Sequence, residues 1–132
     1  MKCSERFLKF VQQQLIGFED DQFIDHLVVY VARSDDGGSP TLEAIGEWPR
    51  SENVLRSVEN DPELRSPSPH RRWYPLQEGS ILLGVVRAEI ITSTPEWPES
   101  LDKRLQALSI ALANSLGLEL ERNKLIDQLN AQ

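Results

Sequence analysis

The segment from Pro98 to Gln132 constrains the fold more than any other part of the sequence, because no further proline interrupts it. Proline is well tolerated at the first position of a helix. Leucines then recur at helical spacing, at Leu101, Leu105, Leu108 and Leu112. A helix over this whole range would be about 50 Å long, which exceeds the diameter of a domain of 132 residues. We therefore expect its first half to cover a core and residues 118–132 to project as the start of a signalling helix.

The projecting half has the pattern of a helix that needs a partner. The apolar stripe continues with charges of both signs around it, at Leu118, Leu125 and Leu129. Small residues recur at every fourth position, at Ala107, Ala111 and Ser115. They would let a second helix approach closely, but they also suit a helix without a partner. The predicted homodimer interface combines the leucines with apolar residues of an opening helix: Phe7, Phe10, Val11, Leu118, Leu125 and Leu129.

The first half of the chain predicts a helix and a hairpin. Residues 4–18 have apolar side chains at helical spacing, and residues 27–32 form an apolar run rich in β-branched residues. Turn-forming residues 35–40 separate this run from residues 41–48, which indicates two paired strands. A weak helical turn at 51–58 is then followed by a loop, because prolines exclude regular structure at Pro62, Pro67 and Pro69.

A second hairpin precedes the closing helix. Residues 72–76 and 80–91 flank Gln77-Glu78-Gly79, a short link that contains glycine. Apolar residues alternate on both faces of the longer strand, with Ile81, Leu83 and Val85 on one face and Leu82, Val86, Ala88 and Ile90 on the other. The order of elements predicts an α+β fold, an α/β/α sandwich with a central antiparallel sheet. We expect the N-terminal helix and the long C-terminal helix to pack on one face.

The composition fits a single acidic domain over residues 1–132. A formal net charge of −7 repels phosphate backbones, so we expect no nucleic-acid partner. No apolar run approaches the roughly 20 residues that a membrane helix needs. The N-terminus lacks the small-residue cleavage site of a secretory signal, so we expect no membrane association and a cytoplasmic location. Cys3 is the only cysteine, which excludes an internal disulfide.

Two stretches resemble the GAF family of sensory domains. RWYPLQEGSILLGVVRAEI, residues 72–90, resembles the family's two late strands, and LDKRLQALSIALANSLGLEL, residues 101–120, resembles its closing helix. More narrowly, WYPLQEG, LLGVVRAE and ALANSLGLELERNKLIDQL resemble the N-terminal sensor domain of cyanobacterial histidine kinases related to chloroplast sensor kinase. The resemblance implies a kinase module downstream of Gln132 and a role in adjusting photosynthetic gene expression to redox state.

The sequence carries no catalytic pattern. It has no Gly-x-Ser-x-Gly elbow, no phosphate loop and no histidine pair at metal spacing. His26 and His70 are interpreted as solvated or structural, and neither lies in a helix resembling a kinase phosphoacceptor. Methionine sulfoxide reductases of the GAF fold need several cysteines. We therefore expect a domain that is not an enzyme and that has no metal site of its own.

Four residues are candidates for sensing. Trp48, Trp73 and Tyr74 supply aromatic surface near strand ends, where they would line a small-molecule pocket or simply pack the core. Cys3 lies near the start of a helix, where a thiol can respond to oxidants or bind an iron–sulfur cluster with ligands from a second subunit. An inert terminal residue is the alternative for Cys3.

These features together predict a regulatory sensor and dimerisation domain of a two-component histidine kinase. A redox or small-molecule signal would shift the closing helices of two chains and so reach a downstream kinase module. The alternative is a small-molecule-binding GAF module in which dimerisation is incidental.

Overall fold

The computed structural model describes residues 3–33, 41–49 and 68–130. Its elements in chain order are α1 (Glu5–Ile16), β1 (Ile24–Arg33), β2 (Thr41–Trp48), β3 (Arg71–Glu78), β4 (Ile81–Ile90) and α2 (Glu99–Asn130). The strands form one antiparallel sheet in the order β2-β1-β4-β3. Both helices pack on the same face of it, which confirms the predicted α+β fold. Within the described ranges no helix covers the opposite face of the sheet. The turns predicted at 35–40 and 51–58 lie outside these ranges.

Helix α1 lies directly on the edge strand β2. The helix begins at a capping residue, because Ser4 Oγ accepts a hydrogen bond from the Phe7 amide at 3.2 Å. Phe7, Val11 and Leu15 recur at helical spacing and are buried in the core beneath the helices. The approach is close, since a Cβ built on Gly46 of β2 would lie 2.7 Å from Val11 Cγ1. A larger residue than glycine at this point would push α1 away from the sheet.

Strand β1 is central and divides the two faces of the sheet. Leu27, Val29 and Val31 belong to the core beneath the helices. Val28 and Tyr30 belong to a second apolar cluster on the opposite face. β1 pairs with β2 on one side and with β4 on the other, so the prediction of a strand buried on both faces is confirmed.

The alternation predicted for β4 is wrong at Leu83. The pairing of β3 with β4 shifts between Leu76 and Gln77, and this shift leaves Leu83 as an extra residue on β4. Such a β-bulge turns one additional side chain to the same face. Leu83 therefore joins Val86 in the core beneath the helices, while Val85 lies in the cluster on the opposite face.

Helix α2 has a buried half and an exposed half. Its predicted core residues are all buried, namely Leu101, Leu105, Leu108 and Leu112. The last buried residue is Glu119, and between Glu121 and Asn130 only Asn123 is half-buried. α2 has 32 residues and is therefore about 48 Å long, so its last part extends beyond the core. Among the described residues no helix combines the length and apolar character needed to cross a bilayer.

We expect Gly84→Ala to destabilise the fold. Gly84 belongs to β4, the strand between β1 and β3. A Cβ at this position would collide with the backbone carbonyl of Tyr30 in β1. The free energy of unfolding should fall by about 1–3 kcal/mol, as measured by urea denaturation followed by circular dichroism. The control is Ile81→Ala, which truncates an exposed residue of the same strand. This substitution should change the free energy of unfolding by less than about 0.5 kcal/mol. Equal losses in the two variants would contradict the close approach of β1 to β4.

Candidate functional site

The aromatic residues predicted to line a pocket do not come together. Trp48 ends β2 and Trp73 lies in β3, and these are the two edge strands of the sheet. Three strand spacings separate them, a distance of roughly 14 Å. Trp48 and Tyr74 pack with the core beneath the helices, whereas the Trp73 ring lies beside Tyr30 on the opposite face. The topology therefore corrects the prediction, because Trp48, Trp73 and Tyr74 cannot line one pocket.

Tyr74 instead forms a hydrogen bond that connects β3 to the beginning of α2. Its hydroxyl donates a hydrogen bond to Asp102 Oδ1 at 2.7 Å. Arg72 Nη1 donates to the same oxygen at 3.2 Å, and Gln106 Nε2 donates to Asp102 Oδ2 at 2.8 Å. Burial, and then the Asp102 carboxylate, raise the pKa of the Tyr74 phenol above its ordinary value. The phenol therefore keeps its proton and remains a donor to Asp102.

The face of the sheet opposite the helices carries a row of charged and polar side chains. From one edge to the other these are Glu47 in β2, His26 in β1, Arg87 and Glu89 in β4, and Arg71 in β3; we call them the polar row. His26 Nε2 lies 2.7 Å from Glu47 Oε1, and Arg87 Nη2 lies 3.2 Å from His26 Nδ1. Glu89 Oε1 lies 3.3 Å from Arg87 Nε and 3.4 Å from Arg71 Nε. These contacts link all strands of the described sheet.

The same contacts determine which nitrogen of His26 carries a proton. A guanidinium group can only donate hydrogen bonds, so His26 Nδ1 must accept from Arg87. Nε2 then carries the proton and donates to Glu47 Oε1. The imidazole is therefore held in one tautomer between a cation and a carboxylate.

Arg87 is the centre of the polar row. Its side chain is only 8% exposed, and its guanidinium carbon lies 5.9 Å from the centroid of the Tyr30 ring. The Trp73 ring lies 6.2 Å from the Tyr30 ring. Among the described residues, Arg87 Nε is buried without a hydrogen-bond partner, although Glu89 is near enough for an ion pair. A buried donor without an aligned acceptor is uncommon, and here the nearby Glu89 carboxylate compensates the charge of the guanidinium group.

The polar row was not predicted from the sequence. The signal that could have revealed it is Arg87, a cation within the otherwise apolar strand β4, with Glu89 two residues later on the same face. His26 shows no comparable signal, because its partners come from β2 and β4 through strand pairing.

A second candidate surface lies on the exposed half of α2. Leu118, Leu125 and Leu129 are 69%, 61% and 71% exposed. Intervals of seven and four residues place them on one side of the helix. We call these three residues the leucine seam. Large apolar side chains that are exposed in a line are typical of a surface that contacts a partner.

The other predicted interface residues lie in different environments. Phe7 and Val11 are 3% and 0% exposed and pack in the core of their own chain. They therefore cannot offer a surface to a second chain, which corrects that part of the predicted interface. Phe10 is half-buried and lines a groove between α1 and α2 beside Leu118.

Cys3 lies on the other side of α2. It is half-buried and lines a groove together with residues that include Lys124 and Asp127. Asp127 is nine residues after Leu118, a rotation of about 180° around the helix. Two chains joined through the leucine seam would hold their Cys3 thiols on outer sides, and an iron–sulfur cluster takes about four cysteine ligands. The described residues around Cys3 therefore do not fit such a cluster, and among the described residues no group of three metal-binding side chains occurs.

We expect Arg87→Ala to be much more destabilising than Arg72→Ala. Loss of the buried guanidinium leaves the His26–Glu47 pair without its cation and Glu89 with Arg71 alone, which costs about 3–5 kcal/mol. Arg72 is half-exposed where it contacts Asp102, so its removal should cost about 1 kcal/mol. Thermal and urea unfolding of the two variants provide the measurement. A smaller loss for Arg87→Ala than for Arg72→Ala would show that the polar row is not structurally important.

Comparisons with protein-family models, curated proteins and solved structures found no match to this chain. The resemblance of residues 72–90 and 101–120 to GAF domains therefore stays a prediction from the sequence.

Proposed function

We propose that this chain is a regulatory domain that forms a homodimer through α2 and relays a signal along that helix. The observation that supports this proposal most directly is the leucine seam. α2 continues past its last buried residue, Glu119, and still carries Leu125 and Leu129 in line with Leu118. A solvated helix end has no need for apolar residues at this spacing, whereas a paired helix buries them.

Pairing would supply a substantial free energy. Complete burial of one leucine side chain contributes about 1.5–3 kcal/mol, and a dimer buries three such residues from each chain. Part of this gain is offset by the loss of translational and rotational freedom on association. The balance is compatible with a dimer that forms at micromolar concentration and that a conformational change can still rearrange.

The finer assignment is a sensor domain of a two-component histidine kinase, cytoplasmic, responding to a redox or small-molecule signal. It rests on the GAF resemblance of the sequence and on the position of the leucine seam at the end of α2. A signal acts in this scheme only if it binds one arrangement of the helices more tightly than another. The oxidant-sensing form of the proposal assigns that role to Cys3, and Cys3→Ser should then abolish any redox response.

We expect Leu125→Glu to convert the dimer into a monomer, because the substitution places a carboxylate in the centre of an apolar contact. Sedimentation equilibrium at micromolar concentration measures the change, and circular dichroism verifies that the fold is retained. Lys124→Glu introduces the same side chain at an exposed neighbouring position outside the seam and should leave the dimer intact. If the unmodified chain is a monomer at tens of micromolar, dimerisation through α2 is wrong.

A second function, small-molecule binding, is favoured by the surroundings of Arg87. Its buried Nε donor and the rings of Tyr30 and Trp73 offer one charged hydrogen bond and an aromatic surface. Because Glu47 and Glu89 already compensate the positive charge of the polar row, this combination suits a neutral ligand that carries one acceptor atom on a flat or apolar body. It would replace the predicted pocket at Trp48, Trp73 and Tyr74, of which only Trp73 lies on this face.

Native mass spectrometry separates the two functions. A dimer without added mass supports the relay function, and a retained organic mass that disappears in Arg87→Lys supports binding at the polar row. Lysine keeps the positive charge but lacks the Nε donor of the guanidinium plane. A mass that Arg87→Lys retains would place the ligand elsewhere.

A further inference from the structure

One charged residue, Arg122, lies within the leucine seam. It follows Leu118 by four residues and precedes Leu125 by three, so its side chain projects from the same side of α2. Arg122 is exposed, and among the described residues it forms no ion pair within the chain. The surface that we propose for dimerisation therefore contains a cation.

This cation opposes pairing whichever way two copies of α2 run. In a parallel pair in register, Arg122 meets its own like-charged copy. In an antiparallel pair that aligns the leucines, it faces apolar side chains instead. Moving a charge from water into either contact is unfavourable unless an opposite charge compensates it. An anion beside Arg122 would remove this cost.

The described part of the chain does not supply that anion. Glu119 lies three residues before Arg122 and lines the same groove, but it is buried. Its Oε1 accepts a hydrogen bond from the backbone amide of Ser4 at 3.0 Å. Glu121 lies about 100° further around the helix and lines a different groove, beside the β3–β4 hairpin. Compensation for Arg122 must therefore come from another molecule.

Arg122 shares its groove with a second arginine. The groove lies between α1 and α2 and has a volume of about 350 Å³, with Arg6 contributed by α1 and Arg122 by α2. Arg6 is also exposed and, among the described residues, forms no ion pair. Even with Glu119 counted, the charge of the lining is positive, although the whole chain has a net charge of −7. Guanidinium groups hold a carboxylate or phosphate group through charge-assisted hydrogen bonds.

The rest of the groove offers an apolar surface. Phe10 is half-buried and Leu118 is 69% exposed, and both line the groove. A pocket of this volume lies at the lower end of the range for small molecules. Leu118 also lines the groove beside the hairpin, so it stands on the ridge between the two grooves. A ligand in one groove therefore leaves the outer side of Leu118 to a partner helix.

We propose that the groove between α1 and α2 binds a small amphipathic anion. Its carboxylate or phosphate group lies between Arg6 and Arg122, and its apolar body packs against Phe10 and Leu118. The bound anion neutralises the charge within the leucine seam, so the dimer binds it more tightly than the monomer does, and the anion in turn strengthens the dimer. The site belongs to a single chain, whereas its effect on pairing rests on the proposed dimerisation.

Binding of octanoate tests the site. Titration calorimetry should show octanoate binding, and 1-octanol, which has the same aliphatic chain without the charge, should bind at least about tenfold more weakly. Arg6→Gln and Arg122→Gln should each weaken octanoate binding about tenfold, because each removes one charged donor. Lys124→Gln removes an exposed positive charge outside this groove and should leave the affinity unchanged.

The headgroup is identified by a second titration with octyl phosphate. Tighter binding of octyl phosphate than of octanoate assigns a phosphate ligand, and the reverse order assigns a carboxylate; either order supports the site if both arginine variants weaken binding. Equal affinity for octanoate and 1-octanol, or unchanged affinity in both arginine variants, would overturn it.

Sedimentation equilibrium tests the effect on pairing. Saturating octanoate should lower the Kd of the dimer at least about tenfold relative to sodium chloride at the same ionic strength. Arg122→Leu removes the charge permanently, so it should strengthen the dimer without octanoate and abolish the octanoate effect. An unchanged Kd with octanoate bound would overturn the coupling.

The two proposals fail in different ways. A chain that binds octanoate through Arg6 and Arg122 but stays a monomer would overturn the proposed dimerisation and support the site. A chain that dimerises but shows no arginine-dependent octanoate binding would overturn the site alone.

Discussion

The burial of one sheet face beneath α1 and α2 is the constraint on which the rest of the structure depends. Leu105, Leu112 and Leu116 are completely buried and fix the rotation of α2 about its axis. Leu118 follows two residues later, about 200° around the helix, and must therefore point away from the sheet. Leu125 repeats this direction one heptad further on. The leucine seam is thus a geometric consequence of how the core is filled, and none of the described residues covers it.

The opposite face of the sheet carries the polar row beside the smaller apolar cluster that includes Val28, Tyr30 and Val85. Burying a charge is unfavourable unless an opposite charge and hydrogen bonds compensate it. The polar row meets this condition, because Arg87 and Arg71 are balanced by Glu47 and Glu89, with His26 between. The charges alternate along the row and cross the sheet perpendicular to the strands. Strand register therefore determines which charged side chains meet on this face, and apolar packing determines the arrangement of the other face.

Local patterns predicted much of the fold, whereas the sites depended on contacts between distant parts of the chain. Two local signals predicted their elements correctly. The helical period after Pro98 predicted α2, and Gly79, which has a φ of 61°, predicted the turn of the second hairpin. The positions of Trp48 and Trp73 on opposite edges follow from strand order, which no short pattern encodes. The bulge at Leu83 likewise depends on pairing between two strands. The interface prediction failed at buried α1 residues because an amphipathic helix does not reveal whether its apolar side meets its own sheet or another chain.

Strand β3 joins the two candidate sites. Trp73 lies with Tyr30 on the face of the polar row, while the next residue, Tyr74, donates a hydrogen bond to Asp102 of α2. β3 is an edge strand and pairs only with β4, so a ligand that displaced Trp73 would meet less resistance than at a central strand. A hydrogen bond to a carboxylate contributes about 1.5–3 kcal/mol, which matches the usual size of an allosteric coupling free energy of about 1–3 kcal/mol. This bond therefore adds to the packing of the buried leucines that holds α2 on the sheet.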